Sequence, residues 1–138
     1  MAGFNLELPT EVIGSINKLY DNAEDMMKEM TRAGAEVVYN NIHNNMKRSF
    51  KTTRSLEKGL KITRSYKTKS DDAINTKVGF YGYDDDGVPI PLKALAREYG
   101  TSRGEKKKPF MRKSFKTTAS ITDAMLKVQE RYIRDEWL

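Results

Sequence analysis

The sequence predicts an α+β fold: an antiparallel sheet packed by a long N-terminal helix and a C-terminal helix. Two periodicities carry that expectation. Apolar residues recur every three or four positions over residues 10–50 and again from about residue 120 onward, the pattern of helices with one buried face. Between them, residues 59–69 and 74–83 alternate with period two and are rich in β-branched and aromatic side chains, as half-buried strands are. A chain of 138 residues is the size of one domain, so residues 1–138 are expected to fold as a single unit.

Taken in order, the first helix starts near Thr10, a suitable N-cap, with Glu11 in the first turn. Its buried face is expected to comprise Val12, Ile13, Ile16, Leu19, Tyr20, Ala23, Met26, Met27, Met30, Ala33, Val37, Val38 and Ile42. The methionines suit adaptable core filling. Gly34 interrupts the run and marks a kink or a close packing contact. The first strand places Leu60, Ile62, Arg64 and Tyr66 on one face; the second places Ile74, Thr76, Val78 and Phe80. Ser70, Asp71 and Asp72 turn the chain between them, and Asp84–Gly87 marks another turn before an extended Val88–Pro91. Pro91 opens a short helix, Leu92–Glu98, which Gly100 closes. Residues 101–108 form a polar, basic loop, and Pro109–Lys116 a short helix or turn. The last helix begins at Ser120, which with Asp123 approximates a capping box, and buries Ile121, Ala124, Met125, Val128, Tyr132, Ile133 and Trp137.

Composition narrows the function. There is no cysteine, which removes disulfide scaffolds, thiolate metal sites and a cysteine nucleophile. His43 is the single histidine and suits a surface or helix-end position better than a metal or catalytic role. No apolar run approaches the roughly 20 residues that span a bilayer, and Met1–Pro9 has no basic start followed by an apolar block, so neither membrane nor secretory signal is expected. Asp84-Asp85-Asp86-Gly87 lacks the alternating oxygen ligands and distal Glu of a calcium loop and reads as a turn. No nucleophile elbow and no phosphate-cradling Gly-rich loop occurs. No enzyme activity and no cofactor are expected.

The net charge of +6 is unevenly spread. Residues 1–46 carry net −4, residues 47–69 net +8, residues 70–96 net −3, and residues 97–116 net +6. Alternating blocks fit a solvated surface, an anionic partner or complementary contacts between subunits. A short echo joins the two basic blocks: Ser49-Phe50-Lys51-Thr52-Thr53 returns as Ser114-Phe115-Lys116-Thr117-Thr118. The flanks do not repeat, so this is no solenoid. Both copies are expected to end a helix, which places basic side chains at the negative dipole end.

The stretch Ala96-Arg97-Glu98-Tyr99-Gly100-Thr101, followed after a variable loop by Pro109-Phe110-Met111-Arg112, resembles the ending of tailed-bacteriophage tail-completion proteins, also called head–tail joining or neck proteins. That family reads Ala-x-Glu-x-Gly-Thr, a loop, then Pro-Phe-(Leu/Met)-Arg. Thr53-Arg54-Ser55-Leu56 stands where it often has Thr-Gly-x-Leu, so Arg54 departs from it, as do Ser114 and Phe115 where a small residue is common. The resemblance implies a structural virion protein. Such proteins form rings, commonly six-fold, that cap the tail tube and meet head-connector or adaptor proteins while viral DNA passes through the opening. It makes Arg97, Glu98, Tyr99, Gly100, Thr101 and Arg103 candidate contacts with neighbouring subunits or rings, together with Lys106, Lys107, Lys108, Pro109, Phe110 and Arg112. The rival reading is a free nucleic-acid-binding protein, in which Lys61, Arg64, Lys67 and Lys69 grip phosphates and Tyr66 stacks a base.

Overall fold

The computed structural model describes residues 10–137. Helix α1 (Thr10–Ser49) takes 40 residues and is about 60 Å long at about 1.5 Å per residue. It is followed by α2 (Arg54–Gly59), β1 (Leu60–Ile62), β2 (Tyr66–Lys67), β3 (Ile74–Asn75), β4 (Val78–Phe80), α3 (Ile90–Tyr99), α4 (Met111–Ser114) and α5 (Thr118–Trp137). This is the expected α+β architecture. The segment Met1–Pro9 and the side chains of Leu19 and Trp137 lie outside the described residues.

The core gathers on the C-terminal half of α1. Val38, Ile42, Met46 and Phe50 follow one another at intervals of four and form one buried stripe. Leu56 of α2, Leu60 and Phe80 of the strands, Ile90 and Ala94 of α3, and Phe110 pack onto it. Phe110 is fully buried and sits edge-on to Phe50, with ring centroids 5.3 Å apart, and to Phe80 at 5.9 Å.

Helix α5 lies antiparallel along α1. Asn41 donates to Thr117 Oγ1 at 2.7 Å, and Tyr132 donates to Glu29 at 2.7 Å beside an Arg131–Glu29 ion pair. Gly34 resolves as the close contact: a Cβ there would lie 3.1–3.2 Å from Met125 and Ile121. The helix runs through it without a break.

The expected sheet is two short ladders. β1 pairs antiparallel with β4, Ile62 opposite Val78, and β2 with β3, Tyr66 opposite Asn75. Three residues, 63–65, therefore face two, 76–77, which is a one-residue bulge. Hydroxyls build it. Thr63 Oγ1 accepts the Lys77 N–H at 2.9 Å, in place of a backbone carbonyl. Ser65 Oγ donates to the Lys28 carbonyl at 3.1 Å and meets Thr76 Oγ1 at 2.8 Å, which in turn meets Thr31 Oγ1 at 2.8 Å. The single face expected for Leu60, Ile62, Arg64 and Tyr66 is thus corrected: the bulge ends the alternation, turns Ser65 toward α1 and leaves Arg64 and Tyr66 exposed.

Three helix boundaries also differ. α3 begins at Ile90, so Pro91 falls within the first turn and the extended stretch ends at Pro89, two residues earlier than expected. α5 begins at Thr118, with Ile121 N–H bonded to Thr117 O, so Ser120 lies inside the helix and does not cap it. Thr10 is the first helical residue of α1, one place inside its expected cap position.

Candidate interaction surface

The segment after α3 is built around one buried carboxylate. Gly100 ends α3 with φ +79°, and a Cβ there would come within 2.7 Å of the Glu105 carbonyl oxygen. The chain then closes on itself: Thr101 N–H reaches Glu105 O at 3.2 Å, Thr101 Oγ1 accepts Glu105 N–H at 3.3 Å, and Lys108 N–H reaches Arg97 O at 2.7 Å. Glu98, 2 % exposed, points under this loop. Its Oε2 accepts the Phe110 N–H at 2.7 Å and the Met111 N–H at 2.9 Å. Its Oε1 accepts the Arg112 N–H at 3.4 Å and Arg112 Nε at 3.1 Å. One carboxylate thereby takes up the backbone donors that open α4. Burial pushes the Glu98 carboxyl up, but the donors from Phe110, Met111 and Arg112 outweigh it and hold it below its ordinary 4.5.

The consequence is a loop pinned at both ends. Of the residues the motif singled out, Thr101, Arg103, Lys106, Lys107, Lys108, Tyr99 and Arg112 are exposed at one end of the molecule. Arg97 is half-buried, its guanidinium 5.1 Å from the Phe50 ring centre, and Gly100 and Pro109 are half-buried turn residues. Glu98 and Phe110 are different: both are interior, the first as the latch and the second as the centre of the aromatic cluster. They hold the surface in place from inside and present nothing to a partner. Arg112 bridges the two roles, bonded to Glu98 beneath and stacked 5.3 Å from the Tyr99 ring centre.

The hairpin residues are less concentrated. Lys61, Arg64, Tyr66, Lys67 and Lys69 are exposed, but Lys67 reaches Glu24 of α1 at 3.7 Å and Lys77 lies over the Tyr66 ring at 5.6 Å. At the following turn Asp84 pairs with Lys93, and its Oδ1 accepts the Asp86 and Val88 N–H groups at 3.0 and 2.8 Å. The Lys93 ammonium, with those backbone donors, holds the Asp84 carboxyl below its ordinary value. This aspartate is a turn-former, as its Asp-Gly context suggests. Among the described residues no group of three or more His, Asp or Glu is placed to hold a metal ion. No helix among them is long and apolar enough to cross a membrane.

Two features escape a reading of the sequence alone. Leu92, Leu95 and Tyr99 share the outer face of α3 and are 57 %, 49 % and 60 % exposed. Their spacing of three and four is visible in the sequence, but it reads as a core face until Ile90, Ala94 and Glu98 are seen to be the buried ones. The second is a cleft of about 460 Å³ lined by Asn45, Arg48, Ser49, Lys108, Pro109 and Lys113. Arg48 and Ser49 adjoin or open the first copy of the repeated pentapeptide, and Lys113 adjoins the second. The echo was the only trace of this cleft in the sequence.

A search of curated proteins and a search of solved structures each returned no match. A protein-family model does match, over residues 10–81, and its description reads "Bacteriophage HK97-gp10, putative tail-component". The match spans α1, α2 and all four strands, whereas the Glu98–Arg112 motif lies beyond it. Two separate parts of the chain thus point the same way, and the chain belongs to the HK97-gp10-like family of bacteriophage tail components.

Proposed function

We propose that this protein is a non-catalytic component of the phage head–tail junction: a homo-oligomeric ring, six-fold by preference, that caps the tail tube and docks it to head-connector or adaptor proteins. Viral DNA passes through the opening of that ring, and the protein resides in the tail or neck of the virion, which is assembled in the host cytoplasm. What supports the reading is the Glu98 latch. A buried carboxylate with four donors is an expensive device to spend on a surface loop. Here its product is a rigid basic edge, Arg103 to Lys108, beside the exposed Leu92, Leu95 and Tyr99. Exposed apolar side chains rimmed by charge mark contact surfaces between proteins.

The nucleic-acid reading draws less support, because Lys67 and Tyr66 of the hairpin are already engaged within the chain. Native mass spectrometry and negative-stain electron microscopy, with and without purified tail tubes, test the proposal. The expected result is a defined ring that binds one end of the tube. A chain that stays monomeric and binds neither tubes nor connector proteins overturns it.

A further inference from the structure

The charge of this molecule is separated along its longest element. The N-terminal part of α1 carries an exposed apolar stripe, Ile13, Ile16, Tyr20 and Met27, with Tyr20 82 % exposed. These positions are three, four and seven apart and so share one face. Asp21 and Asp25, four apart, share another face of the same turns, about 110° and 150° round the helix from that stripe, and make no ion pair among the described residues. Among the described residues, hydrogen bonds from Arg131 and Tyr132 tie the end of α5 to Glu29 of α1.

At the other end of the same helix lies the cleft between the two pentapeptide copies. Arg48, Lys108 and Lys113 line it, no carboxylate does, and none of the three forms an ion pair among the described residues. Gathering three cations without an acid costs electrostatic energy that an incoming anion recovers. The acidic and basic regions cannot satisfy each other within one copy. About 25 helical residues, close to 40 Å, separate Asp21–Asp25 from Arg48, against a screening length of about 8 Å.

We propose that this basic cleft is the socket for a second copy of the chain, and that it receives the acidic, apolar-striped N-terminal part of that copy's α1. The proposal rests on the ring reading above and names the two faces that meet. A contact between unlike faces is heterologous, and a heterologous contact closes into a ring when its rotation allows. The cleft supplies Arg48, Lys108 and Lys113 to the carboxylates of Asp21 and Asp25, which share one face of that helix.

The test uses the full chain and two variants, R48E/K113E and D21K/D25K, with self-association followed by native mass spectrometry and sedimentation. All four residues are exposed, so both variants are expected to melt near the wild-type temperature. Each alone is expected to self-associate at least about tenfold more weakly than wild type. An equimolar mixture is expected to recover assembly, since each reversed socket then meets a reversed helix and each native socket a native one. Wild-type rings that R48E/K113E forms equally well overturn this inference and leave the ring reading intact. A mixture that stays dissociated when wild type assembles also overturns it. A wild-type chain monomeric both alone and with tail tubes overturns the ring reading first, and this inference with it. Loss of duplex-DNA binding in R48E/K113E, with assembly unchanged, assigns the cleft to phosphate and overturns it as well.

Discussion

Phe50 and Phe115 hold the same place in two identical pentapeptides, yet Phe50 is 8 % exposed within the core and Phe115 is 48 % exposed on the surface. The difference comes from the helix before each. The first copy continues the α1 stripe of Val38, Ile42 and Met46, so the next step of four falls on Phe50. The second follows the single turn of α4, whose start is fixed by Glu98 holding the N–H groups of residues 110–112. From that start the inward positions are Phe110 and, four later, Ser114; both are fully buried. Phe115 is one residue further round and points out. Both copies still end a helix and start another: Thr53 Oγ1 caps α2 by accepting the Leu56 N–H at 3.4 Å, and Thr117 O accepts the first bond of α5. Local sequence sets where these helices stop, and the phase inherited from upstream sets which side chain goes inside.

The sharpest way to break the comparison is to truncate both phenylalanines. Phe50→Ala removes a ring packed edge-on against Phe110 and lying under the Arg97 guanidinium. It is expected to cost about 3–5 kcal/mol in urea or thermal unfolding. Phe115→Ala is expected to change stability by no more than about 0.5 kcal/mol. Equal losses would mean that the two copies are not distinguished by helix phase.

Glu98 is the residue that imposes the second phase, so its removal should blur the contrast. Glu98→Gln keeps the shape but turns an amide NH2 toward Arg112 and drops the charge; a loss of about 1.5–3 kcal/mol is expected. The pH dependence follows from the depressed carboxyl. In the unfolded chain Glu98 titrates near 4.5 and in the fold below it, so between those values the unfolded state binds more protons. Stability from Glu98 is therefore complete above about pH 4.5 and is lost as pH falls through the folded value. Wild type should lose stability in that window more steeply than Glu98→Gln, as read from urea midpoints at a series of pH values. Parallel profiles would remove Glu98 from the role of latch.

How much of this was legible in the sequence divides along the same line. The two long helices were legible as helices, because their periodicity runs for many turns, but in α1 only the C-terminal half packs as that periodicity expects: Ile13, Ile16, Tyr20 and Met27 of the expected buried face are exposed. The strands were legible as strands, but the bulge was not: nothing in the order Thr63-Arg64-Ser65 shows that a hydroxyl will replace a carbonyl as the acceptor for Lys77. The start of α5 is not legible, because Ser120 and Asp123 look like a capping pair and only the Thr117–Ile121 bond shows that the helix has already begun. In the candidate surface, the exposure of Lys106, Lys107 and Lys108 could be read directly, since three adjacent lysines have no way inside. Glu98 could be read as part of a motif but not as interior, because its donors lie 12–14 residues away. Arg48 and Lys113 stand 65 positions apart and meet only through the fold.

The mildest test concerns the two serines. Ser114 is fully buried: its Oγ donates to the Phe110 carbonyl at 2.8 Å and accepts from Asn45 Nδ2 at 3.1 Å. Ser114→Ala leaves the Asn45 amide without that acceptor, and a loss of about 1–2 kcal/mol is expected. Ser49, its counterpart, reaches the Pro109 carbonyl only at 3.5 Å, the outer limit of a hydrogen bond, and borders the open cleft where water can replace it. Ser49→Ala is therefore expected to cost less than about 0.5 kcal/mol. The ranking inverts that of the phenylalanines, with the first copy sensitive at Phe and the second at Ser. Thermal melts of the four alanine variants measured side by side check it, and a matching order in both copies would show that the pentapeptide, not the preceding helix, decides what is buried.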